Sequence, residues 1–119
     1  MRCFVIEREK IYVKCGHTDM RRGIDGLAGV VIEELELEVC DESAMFLFCG
    51  RKKDRYKILY WEKDGFILLY KRIESGKLKW PNELEAVLQL TSQQYRWLTE
   101  GLSINQPRAI REIESVNII

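Results

Sequence analysis

Residue types and patterns that define several common classes of protein are scarce in this sequence. The chain has one histidine, His17, and two prolines among its 119 residues. No apolar run approaches the roughly 18 residues that a membrane-spanning helix needs. Charged residues at positions 7–10 interrupt any signal-peptide core near the N-terminus. We therefore expect a cytoplasmic protein without a membrane anchor.

Cysteine and the common catalytic motifs also supply little chemistry. The four cysteines, at positions 3, 15, 40 and 49, are irregularly spaced. Because cytoplasmic thiols stay reduced and often pack as small apolar residues, we predict no disulfide. No CxxC, HExxH or GxSxG motif is present, nor a Walker-type glycine loop. We accordingly predict no metal site, no cofactor and no catalytic residues.

Charge is distributed unevenly along a chain whose formal net charge is zero. Residues 51–79 contain ten Lys or Arg and four Asp or Glu, a net charge of +6. Residues 1–50 carry a net charge of −4, and residues 80–119 carry −2. Such asymmetry favours a local surface for a polyanion, although the cations could equally pair with the acidic flanks.

The strand patterns predict an antiparallel meander. After a short strand at residues 11–15, four strands are predicted at residues 45–49, 56–62, 66–73 and 77–80. Short connections join these four, and parallel strands would need long crossovers instead. Residues 86–90 form either a fifth strand or part of a helix.

Two helices are predicted beside the sheet. Apolar residues between positions 20 and 35 follow helical spacing, and Thr18 is a plausible N-cap. Glycines at positions 23, 26 and 29 indicate either a close backbone approach or a helix that begins later than Thr18. Residues 91–94 match a capping box that opens the second helix, which directs Tyr95, Trp97 and Leu98 inward and ends near Gly101.

The resulting prediction is an α+β fold with one domain. It comprises an antiparallel β-meander of four to five strands with two helices packed on one face. We place the domain at residues 1–102 and a peripheral C-terminal tail at residues 103–119.

The basic segment combines cations with aromatic side chains. Five of the seven residues from 51 to 57 are Lys or Arg. An Asp64-Gly65 turn would place Lys57 opposite Arg72, where like charges destabilise a sheet unless they meet an anion. Five aromatic residues lie among the cations: Tyr56, Tyr60, Trp61, Tyr70 and Trp80. Such side chains suit base stacking, although some of them must fill the core.

Three blocks of the sequence resemble, in order, the accessory protein TnpB of bacterial insertion sequence 66 elements. The first block is residues 18–27, TDMRRGIDGL, and the second begins with residues 46–55, FLFCGRKKDR. The second block continues through 57–61, 65–66, 69–72 and 79–81, and the third comprises 90–91, 97–98 and 101. The resemblance covers residues 11–103. It implies a non-catalytic protein that is needed for transposition and is encoded beside a separate DDE transposase.

The leading hypothesis is an accessory factor that binds DNA at the element ends. The predicted phosphate contacts are Arg51, Lys52, Lys53, Arg55, Lys57, Lys71 and Arg72, with Arg21 and Arg22 extending the patch. The alternative is a protein-interaction module that docks onto the element-encoded transposase. A less favoured third hypothesis is a nuclease, which would require several acidic residues to converge on a metal.

Overall fold

The computed structural model describes residues 6–82 and 84–110, which form a five-stranded sheet. The strands are β1 (Lys10–Lys14), β2 (Ala44–Cys49), β3 (Arg55–Glu62), β4 (Gly65–Arg72) and β5 (Val87–Leu90). Their spatial order is β4-β3-β2-β1-β5. β1 and β2 are parallel, whereas the other three neighbouring pairs are antiparallel. The predicted α+β class is confirmed, and β2, β3 and β4 form the meander.

The segment at residues 77–80 differs from its prediction, because it forms no strand. Leu78 and Trp80 are buried, whereas Lys77 and Lys79 are exposed, so the alternating pattern is present. The segment nevertheless packs on one face of the sheet, where the Trp80 indole Nε1 donates to the Lys14 carbonyl at 2.8 Å. Of the two alternatives for residues 86–90, the structure has a strand, β5, which pairs with β1 outside the meander.

The two helices begin in different ways. The first, α1 (Ile24–Gly29), starts after Gly23 and continues as a π-helical segment, Val30–Glu34, so it begins later than Thr18. The second, α2 (Ser92–Thr99), has the predicted capping box. Every helix in the described part of the chain is too short or too polar to span a bilayer.

The two helices lie on opposite faces of the sheet, so the prediction that both pack on one face is wrong. Leu27 and Val31 share a buried cluster with Phe46. Tyr95 and Leu98, from α2, share another cluster with residues that alternate with Phe46 along β2. All six residues of β2, AMFLFC, are buried. A strand that is apolar on both sides needs cover on both sides, and one helix supplies each layer.

Candidate functional site

The parallel pairing of β1 and β2 brings two loops to the same edge of the sheet. Because the strands run in the same direction, the loops that leave their carboxyl ends, residues 15–23 and 50–54, lie side by side. The Thr18 amide donates to the Cys49 carbonyl at 2.7 Å and ties the first loop to the end of β2. The loops enclose a groove of about 520 Å³.

The groove is basic. The cations in its lining are Lys14, Arg21, Arg22, Arg51, Lys52 and Arg55. The carboxylates in its lining are Asp19, Glu34 and Asp54. Six cations against three carboxylates leave a net charge of +3, with His17 taken as neutral. The groove therefore concentrates positive charge that the overall neutral composition conceals.

Lys57 holds the first loop in place from beneath. Its ammonium Nζ donates to the carbonyls of Met20 and Arg22, each at 2.8 Å. Gly50 leaves space for Met20 of the same loop, since a Cβ at this position would lie 2.8 Å from the Met20 Cγ. Lys57 was predicted as a phosphate contact, but its charged group is directed to the backbone of the groove wall.

Two arginines of the groove form ion pairs with adjacent acids. Arg21 contacts Asp19 through two nitrogens, with Nη2 2.9 Å from Oδ2, and these hydrogen bonds lower the pKa of Asp19 to about 2. Arg55 contacts Asp54 at 3.0 and 3.2 Å, and this hydrogen bonding lowers the pKa of Asp54. A guanidinium carries five N–H donors, so both arginines keep donors for a ligand.

Of the remaining cations of the groove, Lys14 donates to the carbonyls of Cys15 and His17 at 3.4 and 3.3 Å, and the other three are more available. The Arg51 Nη2 lies 3.4 Å from the His17 Nε2 at the rim. Arg22 and Lys52 are exposed and make no side-chain hydrogen bond or ion pair with residues 6–82 or 84–110. Lys53 is also exposed, in a left-handed conformation with φ 58°, but it lies outside the groove lining. Arg22, Arg51 and Lys52 thus form the most accessible cationic set.

The β3–β4 hairpin separates the other predicted residues. Its two-residue turn is Lys63-Asp64, with Lys63 at φ 50°, so Arg55 faces Arg72 and Lys57 faces Tyr70. The predicted pairing of Lys57 with Arg72 is therefore wrong by two positions. Arg72 instead forms an ion pair with Glu74 at 2.7 Å. Lys71 alternates with Arg72 along β4 and points to the opposite face of the sheet.

The aromatic residues do not form the expected stacking surface. Tyr56, Tyr60 and Trp80 are at most 8% exposed. Trp61 packs edge-on against Phe66, with ring centroids 4.9 Å apart. Tyr70 is 53% exposed, and its hydroxyl accepts from the Arg55 Nη1 at 3.3 Å. The site thus offers cations in quantity but little aromatic surface for bases.

Two residues of this site were not predicted from the sequence. Lys14 was not proposed as part of a site, and Thr18 was predicted as a plausible helix N-cap, whereas it lies in the first loop of the groove. Both follow from the parallel pairing of β1 with β2, which places the end of β1 at the groove. Thr18 is 7% exposed, and its hydroxyl has no hydrogen-bond partner among the described residues. A run of short turns indicates only antiparallel neighbours, and the continuous apolar run of β2 was the one local sign of a central strand.

Three of the four cysteines, Cys15, Cys40 and Cys49, lie among the described residues, and Cys3 lies outside them. None of these three forms a disulfide with a described residue; Cys15 and Cys49 are buried, and Cys40 is exposed. Burial raises the pKa of the Cys49 thiol to about 12, so this thiol stays protonated near neutral pH. No group of three or more His, Cys, Asp or Glu within residues 6–82 and 84–110 is arranged to hold a metal ion.

Comparisons with known proteins connect this site to a family. Residues 9–109 match the family described as IS66 Orf2 like protein. Two similar relatives are both uncharacterized proteins of Sinorhizobium fredii. Protein y4hO is 30% identical over 99 residues, which cover 83% of this chain and 85% of the relative. Protein y4jC is 32% identical over 94 residues, which cover 78% and 79%.

No solved structure matches the chain.

The match to the family spans both loops of the basic groove and every described strand and helix. Two of the three blocks that resemble this family, residues 18–27 and 46–55, include most of the residues that line the groove. The chain belongs to the IS66 Orf2-like family and is a transposition-associated accessory protein.

Proposed function

We propose that this protein binds the phosphate backbone of DNA in the basic groove between residues 15–23 and 50–54. The observation that carries the proposal is the convergence of six cations from separate parts of the chain on one groove. Cations gathered against their mutual repulsion are typical of a surface that meets a polyanion. Element ends are the natural DNA ligand for an accessory protein of transposition.

The exposed groups favour contacts with phosphates over contacts with bases. Arg22, Arg51 and Lys52 present charge without a carboxylate partner among the described residues. Three of the five aromatic residues that could stack on bases are buried instead. Since phosphate contacts position a protein without reading sequence, we expect modest discrimination between DNA sequences.

The nine predicted phosphate contacts would therefore take different roles. Arg22, Arg51 and Lys52 would contact phosphates directly, while Arg21 and Arg55 would add their remaining donors at the groove walls. Lys53 would extend the surface beyond the groove. Lys57 would act through the loop that it supports, and Lys71 and Arg72 would contribute little.

The test is fluorescence anisotropy with labelled element-end duplex over a salt series. Each phosphate contact contributes about −0.9 to the slope of log affinity against log salt. The Arg51→Gln/Lys52→Gln double variant should lose two contacts and make the slope shallower by about 1.8. The matched control is Lys71→Gln/Lys79→Gln, which removes the same charge from exposed positions outside the groove.

Two outcomes would reject the proposal. One is an absence of binding by the unaltered protein at low salt. The other is an equal loss of affinity in the two double variants, because net charge alone would then account for the binding. A scrambled duplex of the same length measures how much of the affinity depends on sequence.

A second candidate function is docking onto the element-encoded transposase. It is favoured by two large apolar side chains, Ile32 and Tyr70, which are 54% and 53% exposed. Exposed apolar groups of this kind occur at protein-binding surfaces, although single ones are common elsewhere. Co-purification with the transposase after nuclease treatment, reduced by Ile32→Ser or Tyr70→Ser, would support docking. Retention only while DNA is present would favour the groove instead.

A further inference from the structure

β4 is an edge strand with little protection against pairing. It is eight residues long, and residues 66–70 are five consecutive apolar residues, FILLY. No described residue pairs with its outer side. Edge strands usually carry a central lysine, a proline or a bulge that blocks a further strand. In β4 the charges are confined to the carboxyl end, at Lys71 and Arg72.

The hairpin geometry identifies the backbone groups that are free to pair. In a hairpin with a two-residue turn, the closing pair, here Glu62 and Gly65, exchanges hydrogen bonds. Every second residue from Gly65 therefore bonds to β3. The intervening residues, Phe66, Leu68 and Tyr70, direct their N–H and C=O groups away from the sheet. They form a regular row that another strand can bond.

We propose that a second copy of this chain pairs with β4 in the antiparallel direction, centred on Leu68. This register sets Leu68 against Leu68 of the second copy and Phe66 against its Tyr70. The proposal does not depend on DNA binding. It adds a self-association surface that the groove does not include.

Charge complementarity favours a second copy and fixes the direction. β4 is basic at its carboxyl end, where Arg72 also pairs with Glu74, and the Lys63-Asp64 turn before it presents an exposed carboxylate at Asp64. In the antiparallel register, Arg72 of each copy lies beside Asp64 of the other copy. A parallel pairing would set Arg72 beside Arg72 and add repulsion between like charges. The symmetry repeats the favourable pair twice.

The arrangement has a geometric consequence for the basic grooves. Antiparallel pairing of identical edges places a two-fold axis perpendicular to the sheet, so both copies keep the same face upward. The result is a ten-stranded sheet with the two α1 layers on one side. Each groove lies at the edge where β4 also ends, and the antiparallel copies therefore hold their grooves at opposite ends of the interface.

The test is the oligomeric state of the full chain without DNA, by sedimentation velocity over a range of protein concentration. We expect a reversible dimer. Arg72→Glu should place two acids together at both ends of the interface and weaken the dimer about ten-fold. Asp64→Lys should act similarly with two bases. The double variant Asp64→Lys/Arg72→Glu restores opposite charges and should recover the affinity. Lys79→Glu, away from β4, serves as the control for net charge.

Three results would overturn the proposal. The first is a monomer at every concentration. The second is a dimer that responds equally to Arg72→Glu and Lys79→Glu, or that the double variant does not rescue. The third is slow hydrogen exchange at the amides of Leu68 and Tyr70 that is independent of protein concentration, because another part of the same chain would then cover the edge.

Discussion

Lys57 provides a direct test of whether a cation in this family block supports the groove or contacts a ligand. We consider Lys57→Met, which keeps most of the aliphatic stem and removes the ammonium. The variant loses two charge-assisted hydrogen bonds, each 2.8 Å long, to the carbonyls of Met20 and Arg22. It also loses a cation–π contact in which Nζ lies 5.5 Å from the centre of the Tyr70 ring.

The expected magnitude follows from these contacts. A hydrogen bond to a charged group contributes about 1.5–3 kcal/mol when it is well protected. Lys57 is half-buried, and water can replace the lost donor at both carbonyls, so we take about 1.5 kcal/mol for the two hydrogen bonds together. The cation–π contact adds about 0.5 kcal/mol at a partly exposed site. We expect the free energy of unfolding to fall by about 2 kcal/mol, which corresponds to a Tm lower by roughly 8 °C for a domain of this size.

Urea denaturation followed by tryptophan fluorescence measures the change in the free energy of unfolding. The matched control is Lys52→Met, an exposed position where the change should stay within about 0.5 kcal/mol. For DNA binding we expect the reverse order, with the larger change in salt slope in Lys52→Met. A Lys57→Met variant that keeps its stability and loses as much of the salt slope as Lys52→Met would refute this role, because Lys57 would then contact phosphate.

Two further predictions concern packing and pH. Gly50→Ala should destabilise the protein by about 1–2 kcal/mol, because the new Cβ would lie 2.8 Å from the Met20 Cγ; urea denaturation should show that Met20→Ala in the same chain removes most of the clash. Hydrogen bonds from Ser43, followed by the contact with Lys10, lower the pKa of Asp41 from 3.8 to about 2. A carboxyl whose pKa is lowered by folding stabilises the fold fully at pH values above its pKa in the unfolded chain. This stabilisation is lost as pH falls through the pKa of the folded state. Asp41→Asn should therefore reduce the dependence of stability on pH between 3.8 and about 2, measured by urea titrations at each pH.

The meander could be predicted because its signals are local. Alternating apolar residues and a two-residue turn define β3 and β4, and the Thr91 capping box defines the start of α2. The register was wrong by two positions because the turn uses Lys63 in a left-handed conformation. Lysine is not a usual residue for that conformation, and the adjacent Asp64-Gly65 is the stronger turn signal. The shift of two positions kept every side chain on its predicted face.

The candidate site could be predicted only in part, because its geometry depends on a parallel pairing. The basic residues from 51 to 55 were visible in the sequence, as was the Arg21-Arg22 pair. They come together because the chain crosses from β1 through α1 and then forms β2 directly beside β1 in the sheet. The continuous apolar run of β2 is the signal that was available, since a strand buried on both faces is typical of a central strand with layers on both sides.

The sequence that identifies the family contains buried structural residues as well as exposed ones. A substitution in it can therefore impair function either through folding or through binding. Within residues 46–55, Phe48 and Cys49 are buried and Gly50 makes room for Met20, whereas Arg51 and Lys52 face solvent at the groove. Loss of transposition after a change at Gly50 would therefore be expected from loop packing alone. Only a change at Arg51 or Lys52 that preserves stability can assign a role in binding. Such variants, compared with Lys57→Met, separate the groove as a binding surface from the groove as a piece of the fold.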